Sequence, residues 1–399
     1  MIPFTRILEY GNKVAAPAKV IDFFLDSDNT AATMWMHLNN GELWGTCDKN
    51  YGYVLGFPVG VNYYGEMHLV KRDVKTAWGS TYGTFVLSND DKLFYTGRQT
   101  IYDGTSNTAT WVDKTSFYST YFDILKIKKI TMNYNTVYIL LNDGSLYAHG
   151  KNDYGYFGSA NKTPSFTPVL LKSSVQDCWI TNINGVYQDL DGTFWGTGDN
   201  TYQQMQTTSQ STVYTTWIQL FSEATSEVDY EYNAFRISQT HFMLFRTDGK
   251  YYCSGRNYAG AWGIGNISVD ANVRLYTAQL AFKPGNLLSL FGTSIQTYWT
   301  NILSDTNGVL YFAGYMDGGG GDRLLTFTPR YTVQGNGNTY RAYTNTRMFA
   351  LCALNMSPLL YAKGSGLTTS AGVGFTPLST PLSENFTLIT DFNLREDNI

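Results

Sequence analysis

The stretch NDGSLYAHGKNDYGYFG, Asn142 to Gly158, sets glycines and asparagines around a knot of tyrosines. Alone it fits a phosphate-cradling loop, a metal loop or plain turn chemistry. Its relatives elsewhere in the chain bear on the choice, because internal repeats must be found before a single motif is trusted. The octet DGSLYAHG from Asp143 returns as NGELWGTC from Asn40, DDKLFYTG from Asp90, DGTFWGTG from Asp191, DGKYYCSG from Asp248, NGVLYFAG from Asn307 and SPLLYAKG from Ser357. In all seven copies the last residue lies seven positions after the first, whereas the copies start 50, 53, 48, 57, 59 and 50 residues apart. A rigid element alternates with an adjustable one.

Asn-Gly or Asp-Gly between an apolar run (TVYILLN, TMWMHLN) and an aromatic one (SLYAHG) is a strong hairpin signal, and it predicts a two-residue turn with positive φ angles. The closing glycine implies a sharp turn or a close approach of neighbouring backbone. Two more strands and a loop fit between octets. SVQDCWITNINGVYQDL, Ser174 to Leu190, reads as a strand, a turn at Asn184 and Gly185, and a second strand. Four short strands per repeat, seven times over, predict an all-β, seven-bladed β-propeller with four-stranded blades, one domain over residues 1–399.

The turn dipeptide, aromatic strand and glycine, followed by KNDYGYFG or RNYAGAWGIG and then TPSFTPVLL, resemble the regulator of chromosome condensation repeat family over residues 20 to 385. That resemblance implies a seven-bladed propeller used as a binding platform. Members include exchange factors for small GTPases, chromatin-associated proteins, ligase substrate-recognition modules, light receptors and protein inhibitors. Cys47 departs from the pattern in place of a closing glycine, as do Asp90-Asp91 and Ser357-Pro358 in place of the turn dipeptide, and the tryptophan usual before the closing glycine is mostly missing. Such rings are commonly closed by one blade built from both chain ends. KVIDFFL near the start and NFTLITDF near the end are the spare strands for this.

Composition narrows the function. Of 399 residues 43% are apolar and only 15% charged, with 31 Tyr, 23 Phe, 9 Trp and 38 Gly, which favours strands and turns over long helices. A net charge of -4 supplies no bulk field for nucleic acid or an anionic membrane. Lys126 and Lys128 in ILKIKKI would share one strand face, as a local anionic-ligand patch or as gatekeepers of an exposed strand. Cys47, Cys178, Cys253 and Cys352 have no CxxC spacing and read as buried free thiols. The start, MIPFTRILEYGNKV, lacks the regions of a signal peptide, and no run of eighteen apolar residues suggests membrane insertion.

Enzyme signatures are missing: no GxxxxGK[ST], HExxH, GxSxG or helix-opening GxGxxG occurs. The protein reads as a non-enzyme without cofactor. His37, His68, His149 and His241 are scattered and read as structural. DGGGGD, Asp317 to Asp322, is a flexible tip or, with Asp317 and Asp322 as ligands, a weak calcium loop lacking a third ligand.

Equivalent hairpins place every turn dipeptide on one face and the loops after the closing glycines on the other. These variable loops are where a rigid scaffold keeps recognition. The candidate contact residues are Tyr102, Trp111, Tyr202, Tyr214, Trp217, Tyr258 and Trp262, rigid aromatics among adaptable amides and hydroxyls, each of which could instead pack between blades. Composition and divergent repeats look like those of bacteriophage particle proteins. The leading expectation is a virion component, a tail appendage, receptor-binding or decoration protein, that binds another virion protein or a host surface glycan or receptor and is assembled in the host cytoplasm. The alternative is an intracellular protein-interaction module such as a small-GTPase exchange factor.

Overall fold

The hairpin at Asn142 shows what the octet encodes. Residues Thr136–Leu141 pair antiparallel with Leu146–Gly150. Gly144 N donates to Leu141 O (3.0 Å) and Leu141 N to Ser145 O (2.9 Å), while Gly144 carries φ +83°. This is a three-residue loop, a type I turn followed by a left-handed glycine, rather than the two-residue turn expected. Asp143 Oδ1 accepts from Ser145 N at 2.9 Å, and Asn40 and Asp191 treat Glu42 and Thr193 in the same way. Asn or Asp is therefore needed as an acceptor, and glycine alone takes the positive φ. Where Asp91 replaces that glycine, it adopts φ +60° itself.

The computed structural model describes residues 18–27, 32–47, 51–58, 67–80, 82–102, 107–207, 209, 212–222, 232–238, 240–246, 249–257, 260–265, 272–280, 287–291, 300–305, 309–315, 323–332, 340–344, 349–353, 360–363, 387–389 and 394–395. The first sheet holds β1 (Val20–Ser27), β2 (Ala32–Leu38), β3 (Leu43–Cys47) and β4 (Met67–Lys71). The second runs β5 (Val74–Ser80), β6 (Gly83–Ser88), β7 (Leu93–Arg98), β8 (Asn107–Asp113), and after a short helix α1 (Thr115–Ser119) the third runs β9 (Ile127–Met132), β10 (Thr136–Leu141), β11 (Leu146–Gly150), β12 (Ser165–Lys172). The fourth is β13 (Val175–Ile180), β14 (Asn184–Asp189), β15 (Phe194–Asp199), β16 (Val213–Leu220), and the fifth is β17 (Tyr232–Ile237), β18 (His241–Arg246), β19 (Lys250–Arg256), β20 (Asn272–Gln279). The sixth is β21 (Leu287–Phe291), β22 (Thr300–Asp305), β23 (Val309–Tyr315), β24 (Arg323–Thr332), and the last is β25 (Tyr340–Thr344), β26 (Phe349–Ala353), β27 (Leu360–Lys363), β28 (Thr387–Ile389). The chain is an all-β propeller with four-stranded antiparallel blades. Six sheets have that form, and the first has a fifth strand, β29 (Leu394–Arg395), paired in parallel with β4.

First strands of consecutive sheets touch at β1–β5, β5–β9, β9–β13, β17–β21 and β21–β25, and β1 touches β25. Between the sheets lies the core. One cluster joins Phe85, Leu93 and Tyr95 of the second sheet to Ile130 and Ile139 of the third, and others follow between third and fourth, fourth and fifth, and fifth and sixth sheets. Each wholly buried Phe, Leu or Ile there contributes about 1.5–3 kcal/mol. Alternation puts one face of every strand against each neighbouring sheet, so inner strands such as β6 and β10 are buried on both faces.

Several expectations change. The turn placed at Asn184 and Gly185 is Thr181–Ile183, with both residues inside β14. Gly185 is there because a Cβ would stand 2.0 Å from the Tyr138 hydroxyl of the preceding blade. ILKIKKI is not one strand: Ile124–Lys126 is a 3₁₀ turn, and Lys128 Nζ reaches Gln176 O (2.6 Å) while Lys129 pairs with Asp177 (2.8 Å), so the lysines tie the third blade to the fourth. The two chain ends do meet in one sheet, but through β1 and β29; NFTLITDF supplies β28 of the last sheet. Cys47, Cys178 and Cys253 are buried free thiols, and burial pushes the Cys178 thiol up to about 12. No described helix is long and apolar enough to cross a membrane.

Candidate interaction face

Antiparallel order sends the turns between first and second strands, and the loops between third and fourth, to the same face. A repeated device holds these loops. Asn152 Oδ1 accepts from Phe157 N (3.1 Å), Asn200 Oδ1 from Met205 N (2.8 Å) and Asn257 Oδ1 from Trp262 N (2.9 Å), each spanning five residues. Each loop has one positive-φ residue inside the span and one immediately after it: Gly155 and Gly158, Gln203 and Gln206, Gly260 and Gly263.

The next blade grips the loop. Thr96 Oγ1 lies 2.7 Å from Tyr53 O, His149 Nδ1 donates to Ile101 O (2.9 Å), Thr197 Oγ1 lies 2.9 Å from Gly155 O, and Ser254 Oγ donates to Gln204 O (2.9 Å). All four donors occupy the position before the closing glycine. At the sixth blade this position is Ala313, and its cross-strand partner Asn301 donates from Nδ2 to Ala261 O (2.7 Å) instead. Closing glycines permit the geometry: Gly150 has φ +110°, and a Cβ there would lie 2.2 Å from Asn135 O.

His149 is thus a structural clasp. Nδ1 is committed to Ile101 O, Nε2 accepts from the Tyr118 hydroxyl on α1 (2.8 Å), and that oxygen accepts from Tyr102 (2.8 Å). Burial lowers the imidazole to about 4, well under its usual range, and raises both phenols. The relay is buried and lines neither of the clefts below.

Most sequence-chosen aromatics also work in the scaffold. Tyr102 packs against Tyr95, Phe117 and His149, beneath Lys114 Nζ at 3.8 Å. Trp111 and Trp217, on outer strands, cover Gly56 and Gly158 of the preceding loops, as Phe327 covers Gly263. Tyr214 bonds Thr207 through its hydroxyl (2.6 Å) and joins the core between fourth and fifth blades. Trp262, at 0% exposure, fills the core between fifth and sixth blades and has no surface to offer a partner. Tyr202 remains half-buried on the loop face, with Arg256 6.0 Å from its ring. Tyr258, Asp317 and Asp322 lie outside the described residues, and no metal-binding cluster occurs among those described.

Two clefts stand out. One, of 280 Å³, opens between fifth and sixth blades beside Tyr276, Ile264 and Phe327. The other, of 230 Å³, is on the loop face between third and fourth blades, formed by Tyr134 and Asn135 of the β9–β10 turn, Asp153, Tyr154 and Tyr156 of the next loop, and Asn182 of the β13–β14 turn. Three of these belong to the Asn142–Gly158 stretch. The others lie in MNYNT and ITNIN, which match no site motif; their paired asparagines were the available signal.

No family model matches the chain, and no curated protein matches it in sequence. Solved structures do match in shape. Prp20p from Saccharomyces cerevisiae, studied for its binding to Gsp1p and histones, is 13% identical with a TM-score of 0.61, covering 83% of this chain and 81% of its own. Yeast RCC1 (Prp20) bound to Kap60 gives 13%, 0.64, and 85% and 81%. Human WBSCR16 gives 12%, 0.61, and 82% and 84%. At this identity the likeness is one of fold: the chain is built like the RCC1-type propellers.

Proposed function

We propose that the chain is a protein-interaction module, its seven sheets closing one seven-bladed ring that presents the loop face to a protein partner. The observation that carries this is the division of labour between repeat and loop. Among the described residues, closing glycines, asparagine spans and clasps fix the loops at a few backbone points, leaving loops of unequal length and sequence above a rigid scaffold. The similar propellers studied for binding to Gsp1p and histones, or bound to Kap60, support the same class. Exchange of nucleotide on a small GTPase is the finer form of this reading. The virion reading rests on composition and the divergent repeats, and neither the fold nor the similar structures add to it.

Photo-crosslinkers at Tyr134 and Tyr202, compared with one at Leu190 on the opposite face, test the proposal in cells that express the gene. Protein adducts confined to the first two positions are expected. Equal adducts at all three, or none, would reject the loop face as the interface. Unchanged nucleotide release from the captured partner would exclude exchange activity.

A further inference from the structure

The cleft between third and fourth blades has an unbalanced inventory of hydrogen-bonding groups. Asn133 is engaged at its base: Nδ2 donates to Thr181 O (2.7 Å), and Oδ1 accepts from the backbone N–H groups of Asn135 (3.0 Å) and Thr136 (2.8 Å). Tyr156 donates its hydroxyl to Asn182 O. By contrast, Asn135 Oδ1 and Asn182 Oδ1 are buried with no hydrogen-bond partner, and both residues line the cleft. Two orphaned acceptors flanking one cavity are unusual, since leaving such a group unpaired costs about 1–3 kcal/mol.

Charge and ring placement add to this. Asp153, on the rim, is exposed and has no ion pair among the described residues. Tyr134 is 42% exposed, and the faces of Tyr154 and Tyr156 complete the wall. No lining residue is cationic. Arg98 lies 3.5 Å from the Tyr134 ring centroid, already stacked on that side chain.

We infer that this cleft binds the ammonium or guanidinium end of a lysine or arginine side chain presented by a protein partner. Such a group brings only donors, matching the two amide oxygens and the Asp153 carboxylate, and its stem covers tyrosine surface. The chain's net charge of -4 favours approach of a basic segment. The inference rests on the protein-interaction reading, and it names what the partner must carry.

The test uses the full chain and four blocked tripeptides, Ac-Gly-X-Gly-amide, with X lysine, arginine, norleucine or glutamate, read by ligand-observed NMR. Free glucose and N-acetylglucosamine form a separate arm. Lysine or arginine peptides should bind and the other two should not. D153N should weaken binding about tenfold, N182A at least as much, and added salt should weaken it further, with Tm unchanged for D153N. Equal binding of the norleucine peptide, indifference to both substitutions, or binding of sugars alone would overturn the inference. The two levels separate cleanly: loop-face crosslinks insensitive to D153N sink the cleft and spare the interaction module, whereas peptide binding without any crosslinked protein does the reverse.

Discussion

His149 carries the residue-scale lesson. Its neighbours, two tyrosines in a hydrogen-bonded line, are those of an acid–base centre, yet every ring nitrogen is spent on holding a loop. The imidazole stays neutral in the folded chain down to about 4 and would titrate near 6.5 once unfolded. The unfolded chain therefore binds more protons between those values. Stability is fully present above pH 6.5 and is lost as pH falls toward 4, by up to about 3 kcal/mol. Denaturant titrations at pH 7.5 and 4.5 should show the loss, and His149→Gln should flatten most of it; His37, also lowered by burial, keeps the rest. An unchanged slope in the variant would contradict the assignment. Ser254→Ala should cost about 1–2 kcal/mol by orphaning Gln204 O. Gly150→Ala should cost at least about 3 kcal/mol, because strain and a backbone clash coincide; urea midpoints check both.

Strands and hairpins were legible in the sequence because alternation and turn chemistry are local. The octet register located seven hairpins, and the structure bears out those it describes in detail. The loops were legible only as places. Trp217 and Trp262 look like contact residues in a string of polar loop residues, but Trp217 covers a glycine of the preceding blade and Trp262 fills the core shared with the next one, and no local window contains either neighbour. Likewise the amides of Asn135 and Asn182 come from different repeats. The fourth-blade loop offers a direct test of the loop design. Gln203 and Gln206 stand where the other loops have glycine, at φ +61° and +60°. Gln206 compensates by accepting from Phe221 N (2.6 Å) and donating to Ser254 Oγ (3.3 Å). Gln203→Gly should stabilise the protein by about 0.5–1 kcal/mol, whereas Gln206→Gly should destabilise it by about 1 kcal/mol despite relieving the same backbone strain. Thermal melts of the two variants should move in opposite directions.

For the whole molecule, the decisive joint is where the chain meets itself. The first sheet takes β29 at its outer edge, and β1 touches β25 of the last sheet. Removing Ser383 to Ile399 deletes β28 and β29 together. The truncated chain should melt lower by about 5 °C or more and expose an unpaired β27 edge that promotes association; an unchanged Tm would show that closure does not depend on these strands. Sequence could name the ends as the closing segments but not their pairing, because two residues of parallel strand leave no pattern.

The clasps run in one direction: among the described residues the second to sixth blades each hold the loop of their predecessor at a backbone carbonyl. A carbonyl is the same in every residue. The hydrogen bond itself therefore makes no demand on side-chain identity, and with the few gripped residues kept buried the exposed remainder of a loop can be rewritten without disturbing the joint beneath it. Recognition in this chain can evolve one blade at a time.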